Sequence, residues 1–460
     1  MFKVFNHWIR WRPLVQMLFD FSFVIVGIVI AMMWVHNGLP VNHKQVLLFA
    51  ALLAASMLLI NAWLGFYQRL SNRTPMETRA RAVLSLYVAV PVAYGIYALL
   101  PLTGVSREFV QLSAMSAVFG MLITRVTATQ ASAAGILTRR IMVFGIGDRA
   151  LAVKQALNKS DQSAEIIGFF PAPNEEHPAV PSDAVITASR SLTQTALALK
   201  TDEIVVALTE RRGGAMPLHE LLDCKLQGIR VLDLASHFEQ TLGQIRLESL
   251  YAGWLVFGDG FGQGTLRTVV KRVFDIACAI ILILLTLPIM LIAAVAIVVE
   301  NGFPVFYSQE RVGLNGRLFK VIKFRSMRRD AEKDGKPVWA SKHDDRVTRV
   351  GKIIRKLRID ELPQLFSVLK GDMSLVGPRP ERPFFVDQLT REIPFYAVRH
   401  SVKPGVTGWA QVRYHYGATV EDSAEKLQYD LYYVKNHSLF LDILVLFETI
   451  GVVLTGKGAQ

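Results

Sequence analysis

Cysteine is almost absent from this chain of 460 residues, since only Cys224 and Cys278 occur. They lie far apart and have no partner at zinc-ligand spacing, which argues against a disulfide scaffold and against a zinc site. Acidic residues are also few, because 38 Asp and Glu stand against 51 Lys and Arg, a formal net charge of +13. This charge fits a nucleic-acid binder or a protein that lies against anionic lipid and handles phosphorylated substrates.

Long apolar runs are the feature that the chain has in abundance. Hydrophobic residues make up 52% of the sequence, and many lie in segments close to the roughly 20 residues that a helix needs to cross a bilayer. The sequence therefore predicts a membrane protein, which favours lipid and phosphorylated substrates, and no nucleic acid, as partners of the positive charge. Four such segments occupy the first quarter of the chain: Leu14–Val35, Val46–Phe66, Ala82–Leu102 and Phe109–Thr124.

The arginines around these segments predict their orientation. Arg10 and Arg12 precede the first segment, Arg69 and Arg73 lie between the second and third, and Arg125 follows the fourth. Because cytoplasmic loops carry the excess of Lys and Arg, both ends of the bundle are expected in the cytoplasm. Residues 1–138 are thus predicted to form an N-terminal four-helix transmembrane bundle.

A different pattern begins at about residue 139, where short β-rich runs alternate with helical ones. RRIMVF, AEIIGFF, DEIVVAL and IRVLDL are typical of strands, which predicts a Rossmann-like α/β accessory domain over residues 139–264. The turn Gly145–Ala150 (GIGDRA) approximates the fingerprint of dinucleotide sites. The acidic candidates for a ribose partner, Asp161 and Glu165, precede the next strand instead of ending it. Two interpretations of the turn stay open: it binds a nucleotide, or its glycines serve only the packing of the domain.

The apolar run Val273–Val299 contains Pro288. It is long enough to cross the membrane, but crossing would put the basic segment that follows it outside the cell, against the charge rule. A proline inside a helix removes one backbone hydrogen bond and permits a sharp bend. We expect a re-entrant membrane helix bent at Pro288; a spanning helix with a mild kink is the alternative.

Residues 351–381 (GKIIRKLRIDELPQLFSVLKGDMSLVGPRPE) contain the adjacent carboxylates Asp360 and Glu361. Such a pair can divide the work of phosphoryl transfer, because one carboxylate can attack phosphorus while its neighbour holds a divalent cation. A lone Asp-Glu dipeptide is usually a solvated helix face. Here the surroundings favour function, since Arg355 and Arg358 can neutralise a diphosphate.

A rigid turn, Gly377-Pro378-Arg379-Pro380, follows in the same stretch. Paired prolines contribute little to packing but restrict the backbone around the residue between them. The turn is therefore expected to present the guanidinium of Arg379 in a fixed direction towards a phosphate.

The segment Lys271–Lys435 resembles the bacterial sugar transferases, the monotopic polyprenyl-phosphate sugar-1-phosphate transferases. The motifs that carry the resemblance are LRIDELPQLFSVLKGDMSLVGPRP, VIKFRSM, DDRVTRVGKIIR and RHSVKPGVTGWAQV. The complete layout resembles the long form that initiates exopolysaccharide or capsule assembly. It implies a re-entrant helix with a mainly α-helical monotopic catalytic domain over residues 265–460. It also implies a homodimer among inner-membrane lipids, with the catalytic domain on the cytoplasmic face of the bacterial inner membrane.

The resemblance also implies the chemistry. Asp360 would attack the β-phosphate of a UDP-sugar, with glucose and galactose as first candidates, and undecaprenyl phosphate would then displace it. Glu361 would bind Mg²⁺. Residues implied or proposed to contact phosphate are Arg355, Arg379, Lys323 and Arg325, with Pro378 and Pro380 shaping the turn.

Three further features carry expectations. The motif KFRSM, with Lys323 and Arg325, fits a structural strand with solvated charges as well as a phosphate site. Trp409 is expected on a substrate-side or interfacial loop. The family often has Ser-Pro at the helix bend, whereas this chain has Leu287-Pro288 with Thr286 before it, so the hydroxyl that could bond the freed carbonyl is displaced by one residue.

Two other functions are compatible with part of this layout. A membrane-anchored nucleotide-sugar dehydratase or epimerase needs a Tyr-x-x-x-Lys pair, which this sequence lacks at every position. A membrane-tethered nucleotide-binding regulator or scaffold of polysaccharide assembly would use the Rossmann-like domain and would leave the carboxylate pair without a role. The intact pair with its arginines argues against that alternative.

Overall fold

A computed structural model divides the chain into two compact units. One is formed chiefly by Arg10–Leu242, and the other by Gly243–Gln460 together with Lys3–Ile9. The loop positions Arg69 and Arg73, as well as Arg10 and Asp161, lie outside the described residues, so the orientation of the bundle stays a prediction. The structure describes residues 2–4, 7–9, 11–35, 43–67, 75–100, 107–133, 138–160, 164–173, 175, 178–187, 191–208, 216–250, 260–262, 264–328, 346–414, 417 and 419–455.

Each of the four predicted apolar segments falls largely within a helix. Within the described residues, Leu14–Trp34 and Lys44–Ala62 are long and apolar enough to cross a membrane, whereas the apolar part of the third helix, Val83–Leu99, is shorter. The chain is a membrane protein, and four spans in this region stay a prediction. The helices are α1 Trp11–Val35, α2 His43–Trp63, α3 Pro75–Leu99 and α4 Arg107–Ala133.

A buried polar cluster joins these four helices. The carboxylate of Asp20 accepts hydrogen bonds from the hydroxyls of Tyr67 at 2.5 Å and Thr124 at 2.7 Å. The amide of Asn61 lies 3.5 Å from the same carboxylate and accepts from the Ser85 hydroxyl at 3.1 Å. Polar groups at membrane depth are costly unless they pair with one another, so the cluster accounts for the tolerance of Asp20 in an apolar helix.

The remainder of the first unit contains a parallel four-stranded sheet, in the order β4-β3-β5-β6. Alternate residues of β3 face opposite sides, with Ile141 and Val143 in one apolar cluster and Met142 and Phe144 in the other. Helices cover both faces, as expected for a parallel sheet. All four predicted strands are confirmed. The elements are β3 Arg139–Phe144, α5 Asp148–Ser160, β4 Ala164–Phe170, α6 Leu192–Ala198, β5 Glu203–Val206, α7 Leu218–Leu226, β6 Arg230–Asp233 and α8 Leu234–Leu242.

The glycine turn follows β3 at the carboxyl end of the sheet. Gly145 has φ +124°, and a Cβ there would lie 3.1 Å from the carbonyl oxygen of Ala207. The N–H of Ile146, in the middle of the turn, donates to the Glu175 carboxylate at 2.6 Å. The glycine is therefore needed for close backbone packing, and a carboxylate of the protein occupies a donor that a phosphate would use.

The second unit is mainly helical, with short strand pairs. Two strands at the start of the chain, β1 Phe2–Val4 and β2 His7–Ile9, pair with each other. The other elements are α9 Thr265–Asn301, β7 Phe306–Val312, β8 Leu318–Phe324, α10 Arg349–Lys356, α11 Gln364–Lys370, β9 Ser374–Val376, α12 Pro383–Glu392, β10 Gly405–Thr407, α13 Trp409–Arg413, α14 Val420–Asn436 and α15 Leu439–Thr455.

Residues 243–250 pack within this second unit, whereas the sequence predicted an accessory domain that continued to Gly264. The Ile245 N–H donates to the Gln428 carbonyl oxygen at 3.0 Å, and Ile245 is buried in the core of the second unit. The indole N–H of Trp409 donates to the carbonyl oxygen of Gly243 at 2.8 Å. The compact units thus divide at Leu242 and Gly243 because these long-range contacts, which have no sequence signature, hold the segment.

Helix α9 runs for 37 residues with Pro288 inside it and is the third helix, among the described residues, that is apolar and long enough to cross a membrane. Both halves of the helix pack against the rest of the unit: Ala279, before the proline, lies in one apolar cluster, and Ala293, after it, lies in another beside Phe324. Most side chains between Ala279 and Met290 are exposed. The Thr286 hydroxyl bonds the Leu282 carbonyl oxygen at 2.7 Å, not that of Leu284, four residues before the proline.

Candidate active site

The carboxylate pair lies in a short 3-10 turn, Ile359–Glu361, that directly follows α10. The helix begins after Thr348, whose hydroxyl accepts from the Gly351 N–H at 2.9 Å, and Glu300 accepts from two further N–H groups of its first turn. Arg358 has a left-handed backbone, φ +58°, which interrupts the helix. Non-glycine residues in this region are strained and concentrate at functional sites. This break turns both carboxylates inwards, where each is 8% exposed.

Three cations surround the Glu361 carboxylate. Lys323 Nζ lies 2.7 Å and an Arg379 guanidinium nitrogen 3.0 Å from Glu361 Oε1, and Arg358 lies 3.8 Å from Oε2. Burial by itself would raise the pKa of Glu361, but these three positive charges hold it far below its ordinary value. Glu361 is therefore ionised at every physiological pH.

The carboxylate of Asp360 differs from that of Glu361 in its hydrogen bonds and in the direction of its pKa shift. Its Oδ1 atom is buried and has no hydrogen-bond partner in the described part of the chain. Burial, and next the negative charge of Glu361, raise the pKa of Asp360, although Lys323, Arg355 and Arg358 oppose the shift. A desolvated carboxylate oxygen without a hydrogen bond is a more available nucleophile than a solvated one.

The motif KFRSM divides between two places. Lys323, on β8, joins the carboxylate cluster, and burial is the main cause that lowers its pKa. Arg325, two residues later, donates to the carbonyl oxygen of Asn301 at 3.2 Å and to that of Gly302 at the end of α9. Lys323 therefore contacts the carboxylate pair, whereas these two hydrogen bonds of Arg325 are made to the end of α9.

The turn 377–380 presents Arg379 to the site as expected. Pro378 and Pro380 are buried, and the guanidinium of Arg379 reaches Glu361. The Gly377 N–H donates to the Thr407 carbonyl oxygen at 2.9 Å, and the Gly405 N–H donates to that of Pro378 at 2.9 Å. Backbone bonds to β10 thus fix the turn on one side. Arg355, in the last turn of α10, acts on Asp360 through its charge.

The expectation for Trp409 is wrong. The indole is 3% exposed, stacks on Tyr432 with ring centroids 5.9 Å apart, and donates to the Gly243 carbonyl oxygen. The guanidinium carbon of Arg413 lies over the same indole ring, 4.3 Å from its centroid. Trp409 is a core residue because its apolar body and its N–H both find partners inside the unit.

Two arginines near the site, the buried Arg399 and the partly buried Arg311, were not recognised from the sequence. Arg399 donates to the carbonyl oxygen of Arg379 at 3.0 Å, and Arg311 donates to that of Pro380 at 3.1 Å. No local pattern identifies them, since their targets lie 20 and 69 residues away.

The pair suits a hard divalent cation. Magnesium commonly binds through one or two carboxylates and completes its coordination with water and substrate phosphates. Asp360 offers an unpartnered buried oxygen beside the ionised Glu361. The described residues contain no cluster of three or more His, Cys, Asp or Glu that could hold a metal.

Comparison with known proteins places this site in a family. The model of the family described as bacterial sugar transferase matches residues 266–456. The chain is 48% identical over 240 residues to the UDP-N-acetylgalactosamine-undecaprenyl-phosphate N-acetylgalactosaminephosphotransferase of Aeromonas hydrophila, covering 52% of this chain and 56% of that protein. It therefore spans little more than half the length of that relative.

Two relatives named UDP-glucose:undecaprenyl-phosphate glucose-1-phosphate transferase are covered more fully. The protein of Escherichia coli K12 is 32% identical over 327 residues, which cover 69% of this chain and 68% of that protein. The protein of Caulobacter vibrioides is 44% identical over 192 residues, 41% of this chain and 71% of that protein. The resemblance seen in the sequence motifs is confirmed: the chain belongs to the bacterial sugar transferase family.

Proposed function

We propose that the protein transfers a sugar 1-phosphate from a UDP-sugar to undecaprenyl phosphate, the first membrane step of exopolysaccharide or capsule synthesis. The observation that carries the proposal is the contrast within the carboxylate pair. Asp360 has an unpartnered, buried oxygen, and Glu361 beside it is ionised among three cations. The names of the relatives support the reaction class.

In the first step, Asp360 Oδ1 attacks the β-phosphorus of the UDP-sugar. A bond forms between this oxygen and phosphorus, and the bond from phosphorus to the bridging oxygen breaks. UMP leaves with that oxygen and its electron pair, and the sugar phosphate stays on Asp360 as an acyl phosphate. No proton is required from the nucleophile, because a carboxylate attacks in its ionised form.

The cations provide the charge stabilisation that this step needs. Arg379 and Arg358, already directed at Glu361, can shift to the phosphate oxygens, and Arg355 adds positive charge on the side of Asp360. Glu361, with Asp360, would hold Mg²⁺. When bound, Mg²⁺ supplies Lewis-acid stabilisation of the charge on the diphosphate and the leaving UMP.

In the second step, an oxygen of the lipid phosphate attacks the same phosphorus and the bond to Asp360 breaks. The products are undecaprenyl-diphosphate sugar and a free aspartate. A two-step, ping-pong route follows, since one carboxylate serves both half-reactions.

We also propose that α9 is re-entrant and that the site faces the cytoplasm at the inner membrane. Both halves of the helix pack on the same unit, with Asp275 and Ala279 buried before Pro288 and Met290 and Ala293 buried after it. The exposed apolar stretch between them surrounds Pro288. A bend there would immerse that stretch and return the chain to the side on which UDP-sugars occur.

The regulator or scaffold alternative is less well supported. It requires nucleotide binding at the glycine turn, where Ile146 already donates to Glu175. It also leaves the cations around Glu361 without a role.

Exchange of label between UMP and UDP-sugar in the absence of lipid tests the proposal. Purified protein would be incubated with labelled UMP, Mg²⁺ and, in turn, UDP-glucose, UDP-galactose and UDP-N-acetylgalactosamine. Only an enzyme that forms a covalent intermediate returns label to the donor. Exchange with at least one donor is expected, and a lack of exchange with all three, together with no lipid-dependent UMP release, would contradict the function.

A further inference from the structure

The turn Gly377–Pro380 has few backbone N–H groups that could hold its shape through hydrogen bonds. Two of its four residues are prolines, which lack an N–H. Its N-terminal half is bonded to β10 through the backbone groups of Gly377 and Pro378. Its C-terminal half, which carries Arg379, is held instead by side chains.

Arg399 provides the first of these contacts. Its Nη2 atom donates to the carbonyl oxygen of Arg379 at 3.0 Å, while Nε and Nη2 lie 3.0 and 2.7 Å from Asp430 Oδ2. Its Nη1 atom donates to the Tyr396 hydroxyl at 2.8 Å. All three nitrogens of the guanidinium are therefore bonded, and together they hold three different groups: the Asp430 carboxylate, the Tyr396 hydroxyl and the Arg379 carbonyl oxygen.

The network is fully enclosed. Arg399 is 5% exposed, Asp430 2% and Tyr396 3%. Burying a charge pair is costly, and an apolar set of similar volume would often be at least as stable. A buried, planar, fully bonded guanidinium specifies geometry better than it adds stability. The element whose geometry it specifies is the backbone of Arg379.

Arg311 holds the next peptide in the same way. Its Nη1 atom donates to the Pro380 carbonyl oxygen at 3.1 Å and lies 3.6 Å from Glu381. Two arginines that are distant in sequence thus bind successive carbonyl oxygens of the turn. Arg399 is the more deeply buried of the two and the one that binds the peptide of Arg379 itself.

We propose that Arg399, oriented by Asp430 and Tyr396, is a positioning residue that aims the guanidinium of Arg379 at Glu361 and at the diphosphate of the donor. It acts through Arg379 and does not touch the substrate. The inference rests on the proposed function, because it assumes that Arg379 stabilises the transferred phosphate.

A double-mutant cycle tests this dependence. The variants are Arg399→Gln, Arg379→Gln and the double variant, each assayed for kcat/KM of UMP release. Loss of a direct phosphate contact is expected to lower the Arg379→Gln value about 10²- to 10³-fold. Misplacement of that contact is expected to lower the Arg399→Gln value about 10- to 100-fold. The double variant should equal Arg379→Gln within about twofold, since Arg399 then has nothing left to position.

Arg272→Gln is the matched control. Arg272 also donates charged hydrogen bonds to backbone carbonyl oxygens, those of Val368 and Leu369 at 2.5 and 2.6 Å, but on α11 instead of on the turn. If Arg272→Gln lowers kcat/KM, a variant that combines it with Arg379→Gln should show the product of the two fold-losses. Non-additivity confined to Arg399 therefore separates positioning from general destabilisation.

Asp430→Asn and Arg399→Lys keep the test decisive if Arg399→Gln unfolds. The amide preserves the shape of Asp430 but removes its charge, and lysine preserves the charge of Arg399 but not the three-way fork. Both variants are expected to fold with a lowered thermal midpoint, because each weakens a buried ion pair, and to lower kcat/KM only where Arg379 is present.

The outcomes are distinguishable. If the wild type releases no UMP from any donor, the proposed function fails and the inference fails with it. If the wild type is active and the Arg399 and Arg379 losses multiply in the double variant, the function stands and the positioning role is overturned. Equality of the double variant with Arg379→Gln, with multiplication in the Arg272 control, supports the inference.

Discussion

Each of the two compact units buries a glutamate among cations, and the two glutamates differ in their neighbours. Glu203, at the start of β5, is 1% exposed. Its Oε2 lies 3.2 Å from Arg139 and 3.0 Å from Arg230, and its Oε1 lies 3.1 Å from His237 Nδ1. Both oxygens are satisfied, and His237, Arg139 and Arg230 hold the pKa of Glu203 below its ordinary value although burial raises it.

Glu361 also lies among cations, but the carboxylate next to it in the sequence is not fully hydrogen-bonded. Asp360 precedes it with an unpartnered buried oxygen and a raised pKa. The comparison teaches that a buried carboxylate with compensating cations is a structural feature. The proposed catalytic role of Asp360 rests on its being a second carboxylate beside such a group, with an unpartnered buried oxygen.

The largest effect is expected for Asp360→Asn. The amide keeps the size of the side chain but cannot attack phosphorus, so UMP release and label exchange should both fall by at least about 10³-fold. Glu203→Gln is the control, since it removes a buried carboxylate of the other unit and should leave the rate unchanged. A turnover near that of the wild type in Asp360→Asn would show that the nucleophile lies elsewhere.

Glu361→Gln should lower kcat by roughly 10²- to 10³-fold, because it removes both a metal ligand and the anchor of Lys323 and Arg379. Removal of divalent ions with EDTA should abolish the wild-type rate, and added Mg²⁺ should restore it. Full activity of Glu361→Gln in EDTA would remove the basis for a metal role.

Glu203→Gln should lower the free energy of unfolding by about 2–4 kcal/mol, less than for a fully enclosed pair because Arg230 is partly exposed. The direction in which this stability contribution changes with pH follows from the lowered pKa of Glu203. The contribution of Glu203 is complete above its ordinary value of 4.5 and is lost as the pH falls through the lower folded-state pKa. Thermal midpoints of wild type and variant should therefore converge on acidification; a gap that widens would contradict the ion cluster.

The smallest effect expected is a gain in stability. The raised pKa of Asp360 means that its ionised form destabilises the folded state at neutral pH. Without divalent ions, Asp360→Asn should therefore raise the thermal midpoint by on the order of a few degrees, whereas Glu361→Gln should lower it. Equal shifts in the two variants would mean that the carboxylates share one environment.

Local patterns in the sequence predicted much of this molecule. AEIIGFF forms a strand over Ala164–Phe170 as expected, because β-branched and aromatic runs between turns are a local signal. Lys323 and Arg379, which were chosen from their motifs, both contact Glu361, and their roles in the reaction stay predictions.

Contacts between distant segments could not be predicted. The segment from Gly243 packs on the second unit, and Trp409 lies in its core, because partners far along the chain complete their hydrogen bonds. Arg399 and Asp430 are 31 residues apart and have no periodic signature. The state of Asp360 was equally inaccessible, since an unpartnered oxygen depends on the packing of several elements.

Mass spectrometry of the protein trapped with donor alone tests the central claim most directly. After incubation with a UDP-sugar and Mg²⁺ but without lipid, and rapid quenching in acid, the peptide that contains Asp360 should gain the mass of one sugar phosphate. The gain should disappear on addition of undecaprenyl phosphate and should be absent in Asp360→Asn. An active preparation whose Asp360 peptide never carries the adduct, or an adduct that persists in Asp360→Asn, would contradict the account.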